Sequence, residues 1–243
     1  MAAMTGTAGA ASPERSRSEA LRRKVGLLMP TVDATSRRMW THPRNDLVYL
    51  EWLKALHGMI RATVPLMLAA TESCVARQGD PAADLLGRYL AKHIREEYGH
   101  DQWVADDYVV AGGDPEELRS ALPGPAIAAL VGSQYYWLRH VHPVALIGHI
   151  AVLEGNPPGP GLAPDLAART GLPEDSFRTI ARHAQLDVQH RDDVHRLIDR
   201  LPLDAAQNEL LGLSALHTMR GLIEVMEAIL DRVHRDAPVA LAG

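Results

Sequence analysis

Two short stretches set the strongest limit on how this chain can fold. HAQLDVQH, from His183 to His190, and HIREEYGH, from His93 to His100, each place two imidazoles and a carboxylate at i, i+4 and i+7. At about 100° per residue those positions fall within an arc of roughly 60°, so on a helix they share one face. Around the first line stand the apolar residues Ala184, Leu186 and Val188, which predicts a helix with little surface turned to solvent. A buried charge needs a partner or a metal, and both stretches therefore ask for one inside the fold.

The rest of the chain agrees with helices. Apolar residues recur at 3.6-type spacing, and β-branched alternating runs bounded by hairpin dipeptides are missing, which predicts an all-α fold. Seven helical segments fit. The first covers 18–40 with a break at Pro30; the second runs over 45–78 from Asn45, an N-cap candidate, with a kink at Pro65. Asp80-Pro81 opens the third and Ala111-Gly112-Gly113 stops it. After a short turn of helix at 114–121, the PGP at 123–125 opens a fourth segment to about 139. HPVALIGHIAVLEG makes a fifth that ends at Gly155, a helix over 173–201 holds His183 to His190, and Asp204 caps the last one, to 236. The domain reading is a disordered tail over 1–17, one domain over 18–236 and a C-terminal tail over 237–243.

Composition narrows the function classes. A net charge of -5 with no concentrated basic patch argues against a nucleic-acid surface. No window reaches 18 uninterrupted apolar residues, so no membrane span is expected, and the N-terminal stretch lacks the apolar run of a signal peptide. One cysteine, Cys74, permits neither an internal disulfide nor an all-cysteine metal site; it reads as a small buried apolar residue, and a cytoplasmic location is the default. A small-molecule partner is expected.

The candidate site combines carboxylates Glu97, Glu154 and Asp187 with imidazoles His100, His183 and His190. Glu97-x-x-His100 has the spacing of helical carboxylate-bridged di-iron bundles, and Asp187-x-x-His190 is its counterpart. Glu154 follows the apolar run ALIGHIAVL, an odd place for a solvated carboxylate. Oxygen and nitrogen ligands without thiolate suit iron or manganese better than structural zinc. Each residue alone has a plainer reading, since a single His on an apolar face is usually a satisfied core residue; the matched spacing on two helices is what favours a metal. Trp52, Trp103, the Tyr135-Tyr136-Trp137 run and His57, His140, His142, His149 and His217 read as packing residues.

The order HIREEYGHDQW, HPVALIGHIAVLEG, HAQLDVQH resembles the heme-oxygenase-like di-iron oxidases and oxygenases, the iron-containing redox enzymes, over about residues 20–235. The resemblance implies a seven-helix bundle of heme-oxygenase-like topology, a homodimer, and two Fe(II) ions that activate O2 with electrons from an external donor. It implies His100, Glu154, His183, Asp187 and His190 as ligands, with Glu97 beside them. One position departs from the pattern: relatives carry a glutamate in a sequence like T-E-P-L, where this chain has Thr63-Val64-Pro65-Leu66. Glu72, the nearest acid on that segment, would sit roughly 20 Å from His100 in height if the two helices pack antiparallel. His93, on the ligand face, could complete the site or support it.

Members of such a family N-oxygenate amines, cleave carbon–carbon bonds of amino or fatty acids, or rework amino-acid side chains, mostly in specialised metabolism. The expectation for this chain is an O2-dependent oxygenase acting on the nitrogen of a small amine or amino-acid-derived substrate. The alternative is oxidative carbon–carbon cleavage or dehydrogenation, and further off stand a metal-free or heme-binding protein on the same scaffold and an iron-holding protein without turnover. Arg61, Arg139 and Arg182 are candidates to neutralise a substrate carboxylate.

Overall fold

Helix breaks decide where side chains point in this fold, and each break has a local cause. The computed structural model describes residues 16–236. Helices α1 (Arg17–Gly26) and α2 (Met29–Trp40) divide the first expected segment next to Pro30, which sits in the first turn of α2, where its missing N–H is tolerated. Helices α3 (Asn45–Ile60) and α4 (Thr63–Val75) part at Arg61-Ala62. The Arg61 carbonyl lies four residues before Pro65, which offers it no N–H and crowds it with its ring.

The third break corrects the sequence reading. The segment expected to run unbroken from Asp80 to Ala111 is two helices, α5 (Pro81–Glu97) and α6 (His100–Val110). Tyr98 leaves the helix in an extended conformation and Gly99 follows at φ 89°, a left-handed value that glycine reaches without a Cβ penalty. Glu97 therefore ends one helix and His100 begins the next.

The remaining helices are α7 (Pro115–Ser120), α8 (Pro125–His140), α9 (Val144–Leu153), α10 (Leu162–Thr170), α11 (Arg178–Arg200) and α12 (Ala205–Asp236), with a 3-10 turn at Glu174–Phe177 leading into α11. There is no strand among the described residues, so the fold is all-α. All seven expected segments are present, three of them broken. The addition is α10, hidden behind the proline- and glycine-rich NPPGPG; the 3-10 turn occupies the expected start of the helix over 173–201, so α11 begins at Arg178. The expected tails over 1–17 and 237–243 lie outside the described residues except for Ser16 and Arg17, which cap and begin α1.

Helix α9 is the axis of the bundle: Val144 to Ile150 are all buried. A Cβ at Gly148 would collide with the Leu211 carbonyl oxygen, so glycine lets α12 lie directly against α9. The main apolar cluster joins Met67, Leu86, Leu90, Ile147, Ile198 and Leu211 from α4, α5, α9, α11 and α12. A second, around Tyr49, Val104, Leu166 and Phe177, packs α3, α6 and α10 together, and the Tyr49 hydroxyl donates to the Ser176 carbonyl at 2.6 Å. Cys74 is buried in the main cluster as expected, and burial pushes its thiol up to about 11.

Three acidic caps fix α5, α11 and the α12 helix that packs on α9. Asp80 accepts from the amides of Ala82 and Ala83 at the start of α5 and also pairs with His142 at 2.9 Å, tying α5 to the entry of α9. Asp204 and Gln207 cap α12 reciprocally, at 2.8 and 3.1 Å. Buried Asp107 of α6 accepts from the Thr179 amide at 2.7 Å, so the start of α11 is held by a side chain from another helix. Asn45 opens α3 without capping it; the cap position is Arg44.

The outer face of α11 departs from expectation. Leu186 and Val188 are 37% and 45% exposed, so the apolar residues flanking the polar line face outward while Asp187 and His190 face in. On α12 Leu210 is buried and Leu213 exposed. Among the described residues no helix is long and apolar enough to cross a membrane.

Candidate metal centre

Helices α5, α6, α9 and α11 bring seven metal-capable side chains together. Glu97 occupies the last position of α5 and Glu154 the C-cap of α9, both buried. A helix C-terminus carries partial negative charge, so a buried carboxylate there is doubly disfavoured unless a cation stands nearby. Two sets of potential ligand atoms form within 4.8 Å of one another: His93, Glu97, Glu154 and His190 in one, and Glu97, His100 and His183 in the other.

Glu97 belongs to both sets. Its Oε2 lies 2.9 Å from His100 Nδ1 and its Oε1 lies 3.6 Å from His190 Nδ1, so the two carboxylate oxygens face the two sides of the centre. The break at Gly99 makes this possible by directing His100 from the start of α6 back towards the end of α5. Burial pushes the Glu97 carboxyl up, but the close approach of His100 and the charges of His100, His93 and His183 bring it below the usual range.

His93, left open by the sequence reading, lies in the heart of the four-residue set and is 1% exposed. Its Nε2 is 2.7 Å from Glu154 Oε1 and its Nδ1 is 3.3 Å from Glu96 Oε2. Burial pulls its pKa down, yet the Glu154 and Glu96 hydrogen bonds and the charges of Glu154 and Glu97 raise it to about 9. Glu96 is held in turn by Lys92 at 3.0 Å, a carboxylate behind the imidazole of the kind that orients metal-binding histidines. Glu72 is exposed and belongs to neither set, and Val64 packs against the main core.

On the other side, His183 Nδ1 donates to the Thr179 carbonyl at 2.9 Å, one turn earlier on α11. That bond fixes the proton on Nδ1 and leaves the Nε2 lone pair free. His100 stacks on Trp103, ring centroids 3.9 Å apart, and meets His183 edge-on at 5.1 Å. Asp187 stands beside both sets without joining either; its Oδ1 is 3.8 Å from His190 Nδ1. Burial, followed by the charges of Glu154 and Glu97, raises its pKa to about 8. Burial and the Glu97 charge likewise raise Glu154.

Donor chemistry fits a pair of divalent cations. His100 Nδ1, His190 Nδ1, Glu154 Oε2 and Asp187 Oδ1 are buried without a hydrogen-bond partner. Three carboxylates crowded in one buried space raise each other's charging cost, and cations bound among them remove it. Carboxylate and imidazole ligands without sulfur are the set that iron and manganese take.

The structure thus brings Glu97, His100, Glu154, His183 and His190 together with Asp187 alongside, and adds His93. Sequence reading passed over Tyr89, stacked on His93 at 5.3 Å, and took Trp103, stacked on His100, for a packing residue. Both had a signal in spacing: Tyr89 is four residues before His93, and Trp103 three after His100. Trp52 and His149, read as packing, line a cavity of about 350 Å³ whose floor includes Glu97, Glu154, His183 and Asp187.

Residues 79–221 match the family described as iron-containing redox enzyme. No curated protein matches the sequence. Among solved structures, a domain of unknown function with a heme oxygenase-like fold from Shewanella denitrificans has a TM-score of 0.76 at 14% identity, covering 89% of this chain and 93% of that one. A TenA homolog from Pseudomonas syringae pv. tomato has a TM-score of 0.64 at 14% identity, covering 93% and 98%. A CADD-like protein of unknown function from Nostoc punctiforme has a TM-score of 0.61 at 10% identity, covering 89% and 98%. At these identities the likeness establishes the heme-oxygenase-like fold alone.

Proposed function

Because the chain belongs to the iron-containing redox enzyme family, we propose that it is an O2-dependent non-heme di-iron oxygenase that adds oxygen to the nitrogen of a small amine. The observation that carries this reading is the position of Glu97 between two ligand sets, with one oxygen turned to each. His93, Glu97, Glu154 and His190 would hold one ion, and Glu97, His100 and His183 the other, with Asp187 within reach of the pair. Two ferrous ions held there would supply the electrons and open coordination positions that O2 activation requires, with an external donor as the source of further electrons.

The chain's own residues prepare that chemistry. Thr179 and Glu96 orient His183 and His93 through their distal nitrogens. Trp40, Trp52, Leu66 and Met67 wall the cavity over the ligands and exclude water from the reacting atoms. A heme held by one of the histidines would leave three buried carboxylates without counter-charge, which disfavours that reading.

Protein loaded anaerobically with Fe(II) and mixed with O2 is expected to consume O2 and, with a substrate amine, to yield a product that keeps every carbon and gains oxygen on nitrogen. Release of a one- or two-carbon fragment would replace this reading with oxidative carbon–carbon cleavage. Equal O2 consumption by rigorously metal-free protein would remove both.

A further inference from the structure

The cavity above the ligands has an unusual charge balance. Its walls are apolar, with Trp40, Trp52, Leu56, Leu66, Met67 and Ile150 among them, and its floor carries Glu97, Glu154 and Asp187. No lysine or arginine occurs among the described residues that line it. Its other polar groups come from Thr63, Asn156, Thr179 and the imidazoles of His149 and His183. The His149 ring is committed to Thr218 through Nδ1 at 3.0 Å, and burial, with the nearby His217, holds its pKa down at about 4, so it supplies no positive charge.

The arginines that could have neutralised a substrate carboxylate lie elsewhere. Arg61 borders a separate groove between α3, α8 and α12. Arg139 is exposed, and Arg182, also exposed, lies over the outer ring of Trp103 at 4.5 Å. A carboxylate in the body of this cavity would lose its water and gain no ion pair, the least favourable state for a charge in a protein. A neutral amine nitrogen gives up far less hydration than a carboxylate and needs no ion pair, so it can sit at the floor while a hydrocarbon or aromatic body fills the apolar walls.

We propose that the substrate is an apolar-bodied amine without a carboxylate, its nitrogen at the floor formed by Glu97, Glu154 and Asp187 and its body against Trp40, Trp52 and Leu66. This rests on the reading of the centre as the place of reaction and narrows it: amino acids and fatty acids are excluded as substrates, and an upstream step that removes or masks a carboxylate, such as a decarboxylation, must supply the amine. Metal ions in the ligand set are the one other counter-charge that a substrate carboxylate could find, so the test separates the two states.

The full-length protein, metal-free and loaded with redox-inert Zn(II), is titrated with two matched series: 2-phenylethylamine, phenylalanine and 3-phenylpropanoate; and octylamine, 2-aminooctanoate and octanoate. Calorimetry, with tryptophan fluorescence as a second readout, gives each Kd without turnover or O2. At least one amine is expected to bind ten times more tightly than both carboxylate-bearing partners, in both metal states. Thr63→Arg, which puts a cation in the wall, is expected to shift that ratio at least tenfold towards the carboxylates. Asn156→Arg at the exposed rim does the same in smaller measure and cannot fail through misfolding of the core. Carboxylates that bind as tightly as the amines in either state overturn the proposal, as does the absence of any binding below about 1 mM, the upper end of ordinary KM values. Because neither titration involves O2, this result and the O2 reactivity of the iron-loaded protein can fail separately.

Discussion

Glu97 divides the centre into two halves that the protein furnishes unequally. On one side His93, Glu154 and His190 are all buried, and His93 is backed by Glu96, which Lys92 holds in turn. On the other side His100 and His183 stand with Glu97 alone, His183 is half-buried, and its support is a backbone carbonyl. The first half resembles a structural site, closed by four side chains. The second offers three, and a metal held there would have a position left for a further ligand, as metal sites that do chemistry generally must. Glu154 from the first half, His183 from the second and Glu97 between them all line the cavity, with Asp187 beside them, whereas His93, His100 and His190 do not, so the cavity borders both halves.

The largest effect should come from the residue the halves share. Glu97→Ala is expected to abolish binding of both ions, measured as iron per chain after anaerobic loading; retention of one ion would mean that the halves are independent. Next come the single-sided variants. His93→Ala and His183→Ala should each lose one ion, and in the unaltered protein the ion lost in His183→Ala should be the weaker in a metal titration. The reverse order of affinities would break the comparison.

A smaller effect should follow from Glu96→Gln, which removes the charge behind His93. Loss of such an orienting partner costs 10–100-fold in metal affinity. A titration should show that loss in the tighter step alone, and equal weakening of both steps would deny Glu96 a local role.

The smallest effect concerns pH. Asp187 has its pKa raised from 3.8 to about 8, so over that window the native state holds a proton that the unfolded chain has released. Its contribution to stability is complete below the unfolded value and is lost as pH rises towards the folded one, at up to about 1.4 kcal/mol per pH unit. Metal-free protein should therefore lose Tm between pH 5 and 8, Asp187→Asn should lose less, and bound metal, which favours the carboxylate, should erase the difference. An identical slope in the variant would show that Asp187 does not titrate there.

How far these features could be read from sequence differs between the two helical stretches. Along α11 the i, i+4, i+7 spacing sits on an unbroken helix, and the structure turns Asp187 and His190 inward as that spacing requires. Along HIREEYGH the same spacing brings the residues together by another route. Gly99 breaks the helix, and the turn, not a continuous face, delivers His100 to Glu97. A single glycine in a helical pattern carries no mark that separates a tolerated residue from a left-handed stop.

Leu186 and Val188 mislead for a related reason: periodicity finds faces but not which of them a neighbour covers. Trp52 and His149 could not be separated from core residues because the wall of an apolar cavity has the composition of a core. His93 was legible as a member of the ligand face, but its depth in the centre depends on Glu154 arriving from α9, a contact 61 residues away in sequence. The Val64 departure gave no hint of this, since His93 lies on a different helix.

The most direct test of a two-ion centre shared by Glu97 is the iron content of anaerobically loaded protein after removal of loose metal, compared with that of His183→Ala. The account predicts two irons per chain in the unaltered protein and one in the variant. One iron or none in the unaltered protein, or two in both, would contradict it.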